Sequence, residues 1–169
     1  DGGRGFWRVY RQCFAHCAIA ILDFYHAAGH LWRATAALFD ARTPDARQCF
    51  KHWRSLLRHG QHQAVLTALT ALVNTDIAQG KDLETLVQVQ SYFQAHHQHI
   101  RYQKFEKQRC PLGSGMIESA CKWLIQQRFK GVGMRWSEDG FNHLLLLRLD
   151  WVNQRFDTLF PHVPSRSNK

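Results

Sequence analysis

The chain has 169 residues, of which 45% are hydrophobic and 12% aromatic, so it carries enough apolar material to build a core. That composition excludes a disordered tail, and no run approaches the roughly 20 apolar residues of a membrane span. The formal charge of +9 favours a polyanionic partner, and nucleic acid is the first candidate.

The first 26 residues predict a helix and a strand. Phe6 to Phe14 is a short helix candidate. The apolar run from Ala18 to Leu22 has the length of a buried strand and ends at Asp23. Asp23 begins the segment Asp23-Phe24-Tyr25-His26, from which the next helix is expected to run to about Phe39.

Residues 27–99 predict a helical block. Pro44 suits the first turn of one helix, which Gly60 ends, and Val65 to Val73 carries a stripe of apolar residues at helical spacing. Asp82 is expected to cap a further helix, and the histidines that follow it, His96 to His99, are expected at an exposed helix end.

Residues 100–160 carry a carboxylate in a basic environment. Ile100 to Cys110 is expected to be an extended strand or arm, followed by a turn at Pro111 to Gly115 and a helix from Met116 to about Phe129. Glu118 lies in the first turn of that helix, where exposed backbone N–H groups favour a negative charge. Its position alone fits either a metal-binding acid or an ordinary helix start.

The last predicted elements are a loop and a helix. Lys130 to Trp136 is a basic loop punctuated by glycines, and Ser137 opens a helix in which Leu144 to Leu149 is expected to be buried. Residues 161–169 form a proline-containing tail. Residues 1–100 carry 10 Lys+Arg against 7 acids, a net +3, and residues 101–169 carry 12 against 6, a net +6, so most of the excess charge lies in the part that contains Glu118.

The cysteines predict an intracellular protein. The chain has five, an odd number, mostly within apolar runs, which favours reduced, buried thiols over a disulfide framework. With no signal-peptide pattern and no membrane span, the expected location is the cytoplasm, in association with the nucleoid when DNA is bound.

Four segments in order resemble the C-terminal half of a bacterial insertion-sequence transposase. They are Asp1-Gly2-Gly3, Ile21 to His26, Gly113 to Lys122, and Gln127 to Trp136. The chain is similar to DDE transposases of the Kra-type group, which are distantly related to Mutator-like element transposases. The resemblance covers nearly the whole chain.

This resemblance implies an α/β, ribonuclease-H-like fold that is predominantly α-helical here because of a large helical insertion before the catalytic Glu. Residues 1–26 and 100–160 would belong to the catalytic core and residues 27–99 to the insertion. The chain would then be a fragment, because the first catalytic Asp of the family should lie upstream of Asp1.

The same resemblance implies the site residues. Asp1 matches the second catalytic Asp and Glu118 the final Glu, so these two would bind the metal ions, two Mg²⁺ or Mn²⁺ in the complete enzyme. Asp23 and His26 match the Asp-x-x-His motif and would support the site. By spacing alone Asp23 could replace Asp1 as the second acid, or it could instead orient His26 or start a helix.

DNA is the partner that the resemblance implies, both as transposon ends and as target. Five residues near Glu118 lie where phosphates could be held: Lys122, Arg128, Lys130, Arg135 and Trp136. Any one of them could equally be an ordinary surface residue. A homo-oligomeric transposition complex fits the family, whereas a membrane partner does not.

Two other functions stay open. A transposase remnant without a complete metal set would act only as a DNA-binding protein. Cys13, Cys17, His26 and His30 have ligand types that suit a zinc module, although the gap of eight residues between the pairs is short and includes the predicted strand.

Overall fold

The computed structural model describes residues 3–75 and 80–160. All regular elements in these two ranges are helical, which confirms the prediction of a predominantly helical chain. The α-helices are α1 Arg4–Val9, α2 Phe24–Leu38, α3 Pro44–Arg58, α4 His62–Val73, α5 Gly80–Ala95, α6 Tyr102–Lys107, α7 Gly115–Ala120, α8 Gln127–Phe129 and α9 Glu138–Val152. The π-helical and 3₁₀ segments are Tyr10–Phe14, Cys121–Gln126, His97–His99 and Phe156–Leu159.

The chain divides into two compact units. Unit 1 is Asp1–Ser114 and unit 2 is Gly115–Lys169. None of the helices in the described ranges is both long enough and apolar enough to cross a membrane.

Polar side chains start three of the helices as their sequences predict. Asp23 caps α2, Thr43 caps α3 directly before Pro44 at the first helical position, and Ser137 caps α9 by accepting a hydrogen bond from the Gly140 N–H at 3.1 Å. Each cap satisfies a backbone N–H group that has no partner inside its own helix. Asp82, by contrast, lies within the first turn of α5 rather than before it.

Unit 1 is built by helix packing. Helix α2 packs against α3 and α5, and α4 packs against both α3 and α5. Apolar residues three or four positions apart, such as Val65, Leu66 and Leu69 on α4, give each helix one buried face. The largest fully buried side chains of this core are Leu22, Leu31, Thr35, Leu57, Val65, Leu69, Leu86, Val89, Phe93, Ile100 and Tyr102.

The predicted strand from Ala18 to Leu22 is wrong for this structure. Residues 18–23 form neither helix nor strand. Leu22 is buried as expected, but its N–H donates to the carbonyl of His99 at 2.9 Å, and the N–H of Phe24 donates to the carbonyl of Leu112 at 2.8 Å. A strand needs an extended neighbour for its hydrogen bonds, and within the described ranges these bonds go to a helix end and a loop instead.

The prediction of an extended arm from Ile100 to Cys110 is also wrong. This segment contains α6, and its apolar residues Ile100, Tyr102 and Phe105 belong to the core of unit 1. The basic and glutamine residues between them are mostly exposed, so the segment is an amphipathic helix whose short length concealed its period.

Unit 2 begins with a continuous helical stretch over residues 115–129, which confirms the helix predicted there. Its middle part, Cys121–Gln126, is π-helical. The Arg148 guanidinium, on α9, donates to the carbonyls of Trp123 and Leu124, both at 2.9 Å, and lies over the Trp123 ring. Arg148 therefore satisfies carbonyls in the part of the stretch where regular α-helical bonding is interrupted.

The expectation that Leu144 to Leu149 is buried is wrong. Leu144, Leu146 and Leu147 are exposed, and among the described residues of unit 2 only Phe129 is buried. Phe129 contacts Phe141, with ring centroids 4.9 Å apart, and Trp136 at 5.6 Å. Unit 2 thus exposes several large apolar side chains.

Candidate functional site

The predicted site residues fall into three groups. Asp1 lies outside the described residues. Asp23 and His26 lie in unit 1, and Glu118 lies in unit 2 together with the predicted DNA-binding residues.

Asp23 connects the start of α2 to the end of unit 1. One carboxylate oxygen, Oδ1, accepts from the backbone N–H of His26 at 2.7 Å, which is the N-cap bond of α2. The other, Oδ2, accepts from the backbone N–H of Ser114 at 2.5 Å, across 91 residues of sequence. Of the roles left open for Asp23, the structure therefore shows the helix start. The bond to Ser114 was not predicted from the sequence.

These bonds also keep Asp23 ionised. Burial alone would raise the pKa of Asp23, but the hydrogen bonds from His26 and Ser114 outweigh it and leave the pKa lowered. A carboxylate that accepts several hydrogen bonds in fixed directions is suited to holding a loop in place. Ser114 is the residue directly before α7, so Asp23 anchors the point from which the chain enters the helix that carries Glu118.

His26 joins a cluster of rings rather than the Asp23 carboxylate. Its side chain is exposed, and the contact with Asp23 is made by its backbone. The His26 ring lies 5.1 Å from that of His30, and the His30 ring stacks on Tyr92 at 3.9 Å. The prediction that His26 shapes a site stays a prediction.

The ring cluster extends across unit 1. Trp7 lies 4.8 Å from His96 and 4.4 Å from His99, and Tyr92 contacts His96 at 4.8 Å. His96 and His99 are half-buried and His97 is exposed, so the prediction of an exposed helix end was wrong for His96 and His99. Trp7, 89 residues away in sequence from His96, covers them, and such a distant contact leaves no local pattern.

Burial controls the ionisation of this cluster. It lowers the pKa of His30 to about 4, assisted by the nearby His26, Arg33 and His96, and it raises the pKa of Tyr92 to about 12, assisted by Asp23. At neutral pH both side chains are uncharged. The stacked pair of His30 and Tyr92 is therefore neutral.

Glu118 occupies the position that its sequence predicts. It lies in the first turn of α7 and is exposed. Lys122 follows one turn later, at the start of the π-helical segment, and is also exposed. Side chains at this spacing lie on neighbouring positions of one helix face. π-Helical segments within α-helices are common at functional sites.

The remaining basic residues are neighbours in sequence of an aromatic pair, Phe129 and Trp136. Arg128, Lys130 and Arg135 are exposed, and within the described residues no carboxylate forms an ion pair with any of them. Trp136 is partly exposed, and its Nε1–H donates to the carbonyl of Phe129 at 3.1 Å. This bond fastens the basic loop at Trp136.

Metal-binding side chains are not clustered in the part of the chain described. There, no three His, Cys, Asp or Glu side chains are arranged to hold a metal ion, and this includes the four residues of the zinc alternative. The cysteines are free thiols, as predicted, but none is buried: Cys13, Cys17 and Cys121 are exposed, and Cys49 and Cys110 are intermediate.

Comparisons with known proteins identify no relative. No family model matches the chain, and neither the curated proteins nor the solved structures show a significant match.

Proposed function

We propose that this chain is part of the catalytic domain of a DDE transposase, an enzyme that cleaves DNA at the ends of an insertion sequence and joins them to a target. The observation that carries the proposal is the placement of Glu118. It is an exposed carboxylate in the first turn of α7, followed by Lys122 and a π-helical segment. The order of the four segments that resemble the family supports the same assignment.

In this proposal Asp1 and Glu118 bind the metal ions, together with an Asp upstream of Asp1. Two Mg²⁺ or Mn²⁺ ions bound there would activate water or a 3′-hydroxyl group and stabilise the leaving oxygen of the phosphodiester. Carboxylate oxygens are the ligands that both ions prefer. The exposure of Glu118 fits this role, since a carboxylate that must reach a metal and a DNA strand has to be accessible.

Asp23 is assigned a positioning role rather than a metal-binding role. Each of its oxygens already accepts a backbone N–H, from His26 and from Ser114. This use of the carboxylate supports Asp1 as the second metal-binding Asp.

The ribonuclease-H-like fold remains part of the proposal. Its support is the apolar surface of the chain: Met116, Ile117 and Trp151 of unit 2 are between 67% and 74% exposed. Side chains of this size are normally covered, and the sheet of a larger catalytic core would cover them.

Phosphates are the expected ligands of the basic residues of unit 2. Arg128, Lys130 and Arg135 are exposed and have no described acidic partner, so they can neutralise a DNA backbone without first losing an ion pair.

The test is the substitution Glu118→Gln in the full-length protein, with Glu138→Gln as the matched control. Both residues are exposed glutamates in the first turn of a helix of unit 2. We expect Glu118→Gln to abolish cleavage of transposon-end DNA while binding persists, because one metal ligand is lost and the basic surface remains. Glu138→Gln should cleave normally. Near-normal cleavage by Glu118→Gln would refute the assignment.

Asp1 and Asp23 are distinguished by parallel Asn substitutions with Mn²⁺ titration of cleavage. Asp1→Asn should weaken metal binding and so raise the Mn²⁺ concentration that cleavage needs, whereas Asp23→Asn should lower stability and leave the metal dependence of the folded fraction unchanged. The reverse pattern would assign the ligand to Asp23.

The second candidate is a transposase remnant that only binds DNA. The exposed cations Arg128, Lys130 and Arg135 would serve such a protein without any bound metal. The reading frame upstream of Asp1 distinguishes the two candidates. A predicted strand that carries an acid there supports the enzyme, and a start codon at this boundary supports the remnant.

A further inference from the structure

A pocket of about 660 Å³ lies in unit 1 beside the start of α2, and the residues that line it belong to unit 1. Helix α3 forms one wall with Lys51, Arg54 and Arg58, and Phe24 and Tyr25 of α2 form another. The volume is within the range of pockets that bind small molecules or single groups of larger ones.

The α3 wall carries a row of positive charge. Lys51, Arg54 and Arg58 follow one another at spacings of three and four residues, so they lie on one face of the helix, beside the face that buries Trp53 and Leu57. A row of cations along an open wall matches the spacing of negative charge along a polymer better than it matches a single small anion.

Only part of this charge is neutralised. Arg58 pairs with Glu106 at 2.5 Å, whereas no carboxylate of the described residues pairs with Lys51 or Arg54. The guanidinium carbons of Arg54 and Arg58 lie 5.6 and 5.5 Å from the centre of the Phe24 ring, which holds both groups at the pocket wall. Lys51 and Arg54 are therefore available to an anion.

An aromatic ring stands at the edge of the same pocket. Tyr25 is 70% exposed. One side of its ring rests against Gly113, where a Cβ would approach the Tyr25 ring to 3.1 Å. The ring also lies 5.7 Å from the Phe24 ring at an angle of 75°. It is thus held by two protein contacts while most of its surface stays open, as stacking of a base requires.

We propose that this pocket binds an unpaired stretch of a DNA strand, with phosphates on Lys51 and Arg54 and a base stacked on Tyr25. Phosphate alone would explain the cations but not the exposed ring, and a paired base has no face free for stacking on it. The inference extends the proposed DNA partnership to a second surface, in unit 1. It rests on DNA being the partner and does not depend on metal binding by Glu118.

The test is binding without metal. Fluorescence anisotropy in EDTA would compare a labelled mixed-sequence single strand with the same sequence as a duplex, using the 169-residue chain. The charge variant is Lys51→Gln/Arg54→Gln, and its matched control is Lys104→Gln/Lys107→Gln, which removes two exposed cations of α6 outside the pocket. The stacking variant is Tyr25→Ala, with Tyr25→Phe as its control. Circular dichroism would verify that each variant is folded.

We expect the pocket charge variant to bind the single strand at least about tenfold more weakly, and the slope of log affinity against log salt to fall by about 1.4, since two phosphate contacts are lost. Tyr25→Ala should weaken binding of the single strand by about tenfold and leave duplex binding unchanged, whereas Tyr25→Phe should bind normally.

Two results would overturn the inference. One is equal loss in the pocket and control charge variants, which would mean that only total charge matters. The other is displacement of the strand by free dAMP or inorganic phosphate at concentrations near the affinity of the strand itself, which would identify a site for a small phosphate compound. If wild type cleaves normally but the pocket variants bind the single strand as wild type does, this inference alone is rejected. The expected loss of cleavage in Glu118→Gln does not depend on the pocket.

Discussion

The bond between Asp23 and Ser114 predicts a specific loss of stability on Asp23→Asn. Asn is as good an N-cap as Asp, so its side-chain oxygen can still accept from the His26 N–H and keep the start of α2. Its amide NH₂, however, cannot accept from the Ser114 N–H as Oδ2 does. The substitution therefore removes the long-range contact and spares the local one.

The expected magnitude follows from the bond that is lost. A hydrogen bond to a charged group contributes about 1.5–3 kcal/mol. Asp23 is only half-buried, and the Ser114 hydroxyl lies nearby, so we expect Asp23→Asn to cost less, about 1–2 kcal/mol. Asp23→Ala also loses the cap, which adds about 1 kcal/mol. Asp23→Ser, which can cap but is too short to reach Ser114, should resemble Asn.

Urea unfolding of the four proteins, followed by circular dichroism, would measure these differences. The pKa of Asp23 is lowered in the folded chain, so the stabilisation by its charge is complete above the ordinary pKa of about 3.9 and is lost as the pH falls through the lower folded value. The gap between wild type and Asp23→Asn should thus be full at pH 6 and shrink below about pH 4. Equal stability of wild type and Asp23→Asn at pH 6 would refute the anchoring role.

Two further stability predictions concern the ring cluster and unit 2. The pKa of His30 is lowered to about 4, so the contribution of the neutral ring to stability is full above about pH 6.5 and is lost as the pH falls towards 4. His30→Phe can still stack on Tyr92 but does not titrate, so it should lose less free energy of unfolding than wild type between pH 7 and pH 5. An identical loss in the two proteins would contradict this. Arg148→Met removes both donors to the carbonyls of Trp123 and Leu124 and should lower the free energy of unfolding in urea by about 1–3 kcal/mol. Arg148→Lys should have a stability between those of wild type and Arg148→Met. An Arg148→Met variant as stable as wild type would contradict the role given to these bonds.

Helices with clear local signals were predictable from the sequence. Asp23, Thr43 with Pro44, and Ser137 start helices through side chains that lie within three residues of the N–H groups they bind. Local chemistry of this kind can be read from sequence because both partners are close in the chain.

The segments whose structure depends on distant partners were not predictable. The apolar run at residues 18–22 has the composition of a strand, but the N–H of its last residue, Leu22, bonds to His99, and the N–H of Phe24 just after it bonds to Leu112. In the same way, the half-buried state of His96 and His99 depends on Trp7, and the anchoring role of Asp23 depends on Ser114. Each of these contacts spans more than 70 residues.

The candidate site was predictable only in part. The placement of Glu118 in a first helical turn follows from the glycines before it, and the structure places it there. The basic pocket of unit 1 was not predicted, because Tyr25 comes from α2 and the cations come from α3, and their common pocket appears only when these helices pack.

The most direct test of the account is metal rescue at Glu118. In the full-length protein, Glu118→Cys replaces a hard carboxylate ligand with a softer thiolate, which Mn²⁺ accepts more readily than Mg²⁺ does. If Glu118 binds the catalytic metal, the variant should bind transposon-end DNA, fail to cleave it in Mg²⁺ and regain cleavage in Mn²⁺. Full cleavage in Mg²⁺ would contradict the metal-ligand role of Glu118, and so would a folded, DNA-binding variant that stays inactive in both metals.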